Sequence, residues 1–155
     1  GALVDQVREV GAKIKLISDG DVAGALATGL DDTGVDLMMG IGGAPEGVLA
    51  AAGLKCLGGE VQARLMPQNE EEVKRAQQMG IEDVDAPLRM EDLAAGNNII
   101  FSATGVTNGE MLKGVRFGKR EAKTDSLVMR SKTGTLRFVK AVHKLDQKSL
   151  PKVEK

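Results

Sequence analysis

The chain has 155 residues, 42% of them hydrophobic and 28% charged, which is ordinary for a soluble protein and enough for one domain with a real core. Twenty-one Lys plus Arg nearly balance 22 Asp plus Glu, so there is no bulk positive charge to hold nucleic acid or an anionic membrane, and the lack of Trp and Tyr removes the usual base-stacking platforms. No apolar run approaches the roughly 20 residues of a membrane span, no signal-peptide order is present, and the single cysteine, Cys56, excludes a disulfide framework, so a reducing, cytoplasmic setting is expected.

Helical and strand patterns alternate along the first two-thirds. Leu3, Val4, Val7 and Val10 fall on one face of a helix that begins almost at Gly1, and a chain that opens inside an element reads as part of something longer. Lys13–Ser18 is a strand candidate, turned by Asp19-Gly20-Asp21 into a short Ala-rich helix from Val22 to Ala27. Val35–Gly40 is a second apolar strand; a glycine turn leads from it into another Ala-rich helix, Glu46 to Cys56, which Gly58 and Gly59 end. Val61–Met66 follows as a strand. Asn69 then caps a helix that runs to about Met79, with Glu72 completing a capping box and Glu70, Glu71 and Glu72 suiting its positive end.

Asn98–Thr104 is the next strand, followed by Gly105–Gly109 and a brief helix at Glu110–Leu112. From Val115 the pattern is all strand: Val115–Phe117, Thr124–Arg130, and Thr135 to about Leu145, with Lys132-Thr133-Gly134 as a hairpin turn. The sum is an α/β fold: a mixed, partly parallel sheet with helices on its faces and antiparallel strands at the C-terminal end. No repeat or linker divides it, so residues 1–146 read as one domain and 147–155, polar and holding Pro151, as a flexible tail.

Three strand-to-helix turns carry glycine or acidic residues: Asp19-Gly20-Asp21, Gly42 to Glu46, and Gly105 to Gly109. In an open α/β sheet, ligands bind beyond the carboxyl ends of parallel strands, and parallel strands here would bring the three turns to one edge. Gly42-Gly43-Ala44-Pro45-Glu46 opens its helix with proline at the first position, free amides and a positive dipole end, which together suit a phosphate. A carboxylate there would repel phosphate unless a divalent cation lay between them, so Glu46 points to a metal-bridged phosphate site. Asp19 and Asp21 suit a cation or sugar hydroxyls, and equally a helix N-cap or an Asx-turn. A tight turn would by itself explain Gly42 and Gly43, and a favourable first-turn charge would explain Glu46.

Other features are weaker. Lys132-Thr133-Gly134 with Ser149-x-x-Lys152 imitates serine β-lactamase elements, but in the wrong order and without Ser-Asp-Asn. Arg116, Lys119, Arg120 and Lys123 read as a solvated loop. His143 has no companion ligand, and Cys56 reads as packed rather than nucleophilic.

Four stretches carry a resemblance: Leu16 to Ala25, Asp32 through the Gly42-Gly43-Ala44-Pro45-Glu46-Gly47 block to Val48, Cys56 to Gly59, and Ser126 to Gly134. Over about residues 3–145 the chain resembles the later half of class II fructose-1,6-bisphosphatase. The resemblance implies a gluconeogenic phosphatase that removes the 1-phosphate of fructose 1,6-bisphosphate with Mn²⁺ or Mg²⁺, some relatives also accepting sedoheptulose 1,7-bisphosphate. It implies that Asp19, Gly20, Asp21 and the backbone at Gly43 bind the sugar bisphosphate and that Glu46 is a metal ligand. The family's other acidic ligands, and the threonine associated with attack on phosphorus, belong to a first domain that these residues do not include. A Lys-Pro-Arg substrate segment would fall just before residue 1. Implied partners are the sugar bisphosphate, that first domain and further copies in a homo-oligomer, with neither nucleic acid nor membrane. One metal ligand cannot hold a two-metal centre, so the chain taken alone is expected to be inactive. The alternative is a non-catalytic sugar-phosphate-binding or assembly module.

Overall fold

The computed structural model describes residues 1–147; the expected tail therefore lies outside the described residues, apart from Gln147, which ends a 3₁₀ turn at Leu145–Gln147. Helix α1 spans Ala2–Glu9, α2 Asp21–Ala27, α3 Ala44–Leu57, α4 Glu70–Gln78 and α5 Met90–Leu93. Strands β1 (Gln62–Ala63) and β2 (Leu88–Arg89) form a small antiparallel pair. Strands β3 (Ile100–Thr104), β4 (Arg116–Phe117), β5 (Glu121–Arg130) and β6 (Thr135–Lys144) form the main sheet. Both sheets are antiparallel throughout.

β5 is the centre of the main sheet. Its one edge pairs with β3 (Ala103 opposite Leu127) and β4 (Phe117 opposite Ala122), and its other edge pairs with β6 over the whole length, Glu121 opposite Lys144 to Arg130 opposite Thr135. The β5–β6 hairpin closes through a 3₁₀ turn at Ser131–Thr133, and Gly134 takes a left-handed conformation (φ 56°) that favours glycine at that place.

Period-two burial on β5 puts Asp125, Leu127 and Met129 on the inner face beside Phe101 of β3. Against that face lies α3, whose Ala-rich surface permits close approach. A side chain on Gly53 would run into Leu26 of α2, so α2, α3 and the sheet interlock at that glycine. The core is Leu26, Ala51, Leu54, Cys56, Met90, Ala94, Phe101, Leu127 and Met129, with Leu26 and Leu127 fully buried. The outer face of the sheet, with Ile100, Ser102 and Thr104 exposed, is uncovered, so the helices lie on one face rather than on both.

The expected parallel component is absent from the described residues. Lys13–Ser18 and Val35–Gly40 take no regular secondary structure and join no ladder, and of Val61–Met66 only Gln62–Ala63 pairs, antiparallel to β2. Apolar content creates a preference for burial; it does not supply the hydrogen-bonding neighbours that a parallel strand requires on its flanks. The two segments instead lean on α2: a methyl group on Gly24 would lie 2.9 Å from Ile17 Cδ1 and 3.2 Å from Met38 Sδ. Leu16, Leu37, Met39 and Ile41 remain exposed.

The brief helix expected at Glu110–Leu112 does not form either. Asn108 Oδ1 accepts from the Gly114 amide at 2.9 Å and the Val115 amide donates to the Val106 carbonyl, so the loop is closed by cross-links that a helix would break. α4 matches expectation closely: the Asn69 side chain accepts from the Glu72 amide at 2.9 Å, and Glu72 reaches back to the Gln68 amide at 2.8 Å.

Candidate active site

The first two turns meet. Gly20 sits in the left-handed region (φ 77°) and caps α2, so Asp21 stands in that helix's first turn, half-buried. Gly43, with extended backbone, caps α3, and Pro45 occupies its first turn without wasting an amide. Between them lies Gly42. A methyl group on its Cα would stand 2.8 Å from Asp21 Oδ2 and 3.4 Å from Glu46 Oε2, so two carboxylates from separate helices converge on one bare backbone position.

Glu46 is exposed and, among the described residues, in no ion pair; its Oε2 accepts from the Gly43 amide at 3.0 Å. That bond is the reciprocal half of a capping box, so the helix-cap reading of Glu46 holds in this structure. It also occupies the one Gly43 group that would face a phosphate. A ligand taking the Gly43 amide must displace the carboxylate, and a cation is what would draw it away.

Asp19 and Gly20 line a large open cleft of about 1850 Å³ that Asn108, Gly109 and Glu110 also line. The third turn is thus brought to the same cleft as the first, and Lys15 Nζ to Glu110 Oε2 at 2.5 Å ties the two segments together. Asp21, Gly43 and Glu46 are not among the cleft's lining residues. The sequence-predicted set therefore divides into Asp21, Gly42, Gly43 and Glu46 at the start of α3, and Asp19 and Gly20 on the cleft.

The donors at α3 are hard oxygen ligands of the kind Mg²⁺ and Mn²⁺ prefer. They fit such an ion in type and fall short in number: among the described residues no group of three or more His, Cys, Asp or Glu side chains is arranged to hold a metal.

The weaker candidates resolve as structural parts. Cys56 is buried with its Sγ 3.7 Å from the Ile99 carbonyl, and burial pushes its thiol above the ordinary value, the opposite of an activated nucleophile. His143 Nε2 lies 3.0 Å from Thr124 Oγ1. Arg116 is not simply a solvated loop residue: its guanidinium pairs with the buried Asp125 at 2.5 Å and reaches the Gly114 carbonyl. Lys123 pairs with Glu121 at 3.2 Å. Lys132-Thr133-Gly134 is the hairpin turn, while Ser149 and Lys152 lie outside the described residues. Sequence reasoning missed the Arg116–Asp125 and Lys15–Glu110 pairs. The first was open to inference from the β4–β5 hairpin, which folds Arg116 back opposite Lys123; the second carried no local signal.

Comparison with known proteins decides the family. The family model for bacterial, glpX-encoded fructose-1,6-bisphosphatase matches residues 1–143. The chain belongs to this family. It is 44% identical over 156 aligned positions to the D-fructose 1,6-bisphosphatase class 2/sedoheptulose 1,7-bisphosphatase of Synechococcus sp. (strain JA-3-3Ab), across 93% of this chain and 45% of that protein. To the fructose-1,6-bisphosphatase class 2 of Haemophilus influenzae it is 42% identical over 158 positions, across 94% of this chain and 47% of the relative. The chain thus spans somewhat less than half the length of these relatives. Among the described residues no helix is long and apolar enough to cross a membrane.

Proposed function

We propose that this chain is the part of a class II fructose-1,6-bisphosphatase that binds the sugar bisphosphate and contributes one metal ligand, Glu46, to hydrolysis of the 1-phosphate. The observation that carries the reading is the convergence of Asp21 and Glu46 on Gly42, where two carboxylates and a helix N-terminus coincide. Family membership supplies the reaction class, and the names of the relatives supply the substrate class: fructose 1,6-bisphosphate, with sedoheptulose 1,7-bisphosphate as a second sugar.

In this reading Asp19, Gly20 and Asp21 hold sugar hydroxyls and fix the orientation of the bisphosphate, a positioning contribution. Glu46 would hold the cation, and the Gly43 amide it now occupies would then be available to a phosphate oxygen. Bound Mg²⁺ or Mn²⁺ would neutralise phosphate charge and lower the pKa of an attacking water. The rest of the ligand set and the residue that acts at phosphorus come from the remainder of the longer protein, so the site is completed only there. A cytoplasmic, gluconeogenic setting belongs to the same reading.

A second reading, a sugar-phosphate-binding module without chemistry, is favoured by the incomplete donor set among the described residues. Two measurements separate them. Titration calorimetry of the purified chain with fructose 1,6-bisphosphate, with and without Mn²⁺, is expected to give metal-dependent binding that Glu46→Gln abolishes. Phosphate release by the chain alone is expected to stay at background, and to appear on adding the remainder of the protein in trans. Binding that is indifferent to Mn²⁺ and to Glu46→Gln would refute the metal-bridged site; family-like turnover by the chain alone would refute the division of labour; absence of turnover after reconstitution would favour the module.

A further inference from the structure

The chain holds one Asn-Gly and one Asp-Gly dipeptide, Asn108-Gly109 and Asp19-Gly20, and both line the same cleft. Such pairs are prone to spontaneous imide formation, because glycine puts no side chain beside the attacking amide nitrogen. In a free peptide the carboxamide reacts faster than the carboxyl, so the sequence by itself points to Asn108 as the labile residue.

The fold treats the two differently. Asn108 and Gly109 are exposed, yet both reacting groups are held. The Gly109 amide donates to the Leu112 carbonyl at 2.9 Å, and Asn108 Oδ1 accepts from the Gly114 amide at 2.9 Å, so nucleophile and electrophile are each committed elsewhere. The loop that carries them is braced: a side chain on Gly105 would strike the Lys113 carbonyl, and a methyl group on Gly114 would lie 2.6 Å from the Thr107 carbonyl carbon. Asp19 and Gly20 are exposed as well, but among the described residues neither the Asp19 carboxyl nor the Gly20 amide takes part in a hydrogen bond or ion pair. A methyl group on Gly20 would meet nothing within 4 Å, so the space around this junction is open. The Gly20 carbonyl accepts from the Gly24 amide at 2.9 Å, and it is not one of the ring atoms.

We propose that Asp19 is a site of spontaneous covalent modification, isomerising in the folded chain while the fold preserves Asn108. The Gly20 nitrogen attacks Asp19 Cγ and gives up its proton, and the carboxyl hydroxyl leaves as water, which closes a five-membered succinimide. Water then opens the ring. Attack at the side-chain carbonyl restores aspartate; attack at the main-chain carbonyl gives isoaspartate, with no net change in mass and no reagent beyond water. The product carries one extra main-chain carbon just ahead of α2 and a free α-carboxylate, the group that isoaspartate methylation recognises. This chemistry does not depend on the proposed phosphatase role; that it would age the sugar-bisphosphate site does rest on that reading.

The test compares each residue with itself. The full 155-residue chain is aged at neutral pH, folded and in urea. Isoaspartate is read by methyl transfer from S-adenosylmethionine with an isoaspartate methyltransferase, and both sites are located by peptide mass spectrometry. Two hydrogen bonds of ordinary net strength must open before Asn108 reacts, so its deamidation is expected to be slower in the folded chain by on the order of tenfold to a hundredfold. Asp19 is expected to isomerise at comparable rates in both conditions. Asp19→Glu should remove methyl acceptance from the aged folded chain, because a glutamyl imide needs a less favourable six-membered ring. Protection of Asp19 as strong as that of Asn108 overturns the proposal, as does deamidation of Asn108 in the folded chain at its urea rate. So does methyl acceptance that Asp19→Glu leaves unchanged.

Discussion

Gly42→Ala separates the site from the fold. The added methyl would lie 2.8 Å from Asp21 Oδ2, where ordinary contact begins at 3.4 Å, so the carboxylate must withdraw by about 0.6 Å. Glu46 Oε2, at 3.4 Å, is touched without being pushed. The displaced atom is the end of a flexible side chain, and an off-rotamer χ of this size costs about 0.5–1.5 kcal/mol. Against it stands the gain of about 0.4–1 kcal/mol from reduced freedom of the unfolded chain, since Gly42 has no positive φ to lose. The two nearly cancel, so the melting temperature should move by no more than roughly 2–4 °C in a chain of this size. Ligand binding has no such compensation. The methyl occupies the bare backbone position and moves one of the two carboxylates, and misplacement of about 1 Å can cost on the order of 10²-fold in a positioned reaction. Circular dichroism melting and Mn²⁺-dependent calorimetry with fructose 1,6-bisphosphate should thus show an unchanged fold with binding weakened at least tenfold. Unchanged affinity in a folded Gly42→Ala protein would refute the claim that this convergence is the site.

Two glycines of α3 should respond with opposite signs. Gly53→Ala drives a methyl into the fully buried Leu26 and to 3.4 Å from Phe101, so overpacking of about 1–3 kcal/mol outweighs the gain of about 1 kcal/mol in helix propensity, whereas Gly47→Ala meets nothing within 4 Å and should stabilise by about 0.5–1 kcal/mol; urea midpoints would read both. At the Arg116–Asp125 pair the aspartate is buried and the guanidinium is partly exposed, so Arg116→Met, which strands the buried carboxylate, should cost more than Asp125→Asn, by roughly 1–3 kcal/mol; equal losses would mean the pair is not what holds β4 to β5. Lys55 donates to Glu91 and holds its carboxyl below the ordinary range. A depressed folded value means that the contribution is complete above the unfolded pKa of about 4.3 and is lost as pH falls through the lower folded value. Chemical denaturation should accordingly show wild type ahead of Glu91→Gln at pH 6, with the gap closing below pH 4; a gap that widens in acid would reverse the sign of the argument.

The elements most legible in the sequence were those whose causes are local. Asn69 and Glu72 announce α4, Gly134 announces the hairpin, and the alternation Asp125, Leu127, Met129 announces the inner face of β5, because caps, positive φ and period two each act within a few residues. Segments 13–18 and 35–40 were legible as apolar and illegible as to pairing. Their side chains state a preference for burial, while their neighbours are set by parts of the fold distant in sequence, and Leu16, Leu37 and Ile41 stay exposed here. The same distinction runs through the candidate site. Glycine, proline and a carboxylate at the opening of α3 were readable together because they share one turn. That Asp21 would meet them at Gly42 depended on α2 docking against α3 through Gly53 and Leu26, a packing fact without local signature. The separation of Asp19 from Asp21 was out of reach for a related reason. Left-handed Gly20 stands between the two, and Asp19 is a residue of the open cleft with Asn108 and Glu110 while the Asp21 carboxylate lies against Gly42. If both aspartates bind one sugar bisphosphate, the ligand must run around Gly20 from the cleft to the start of α3. Asp19→Asn should then weaken binding with or without metal, and Asp21→Asn most where Mn²⁺ is present.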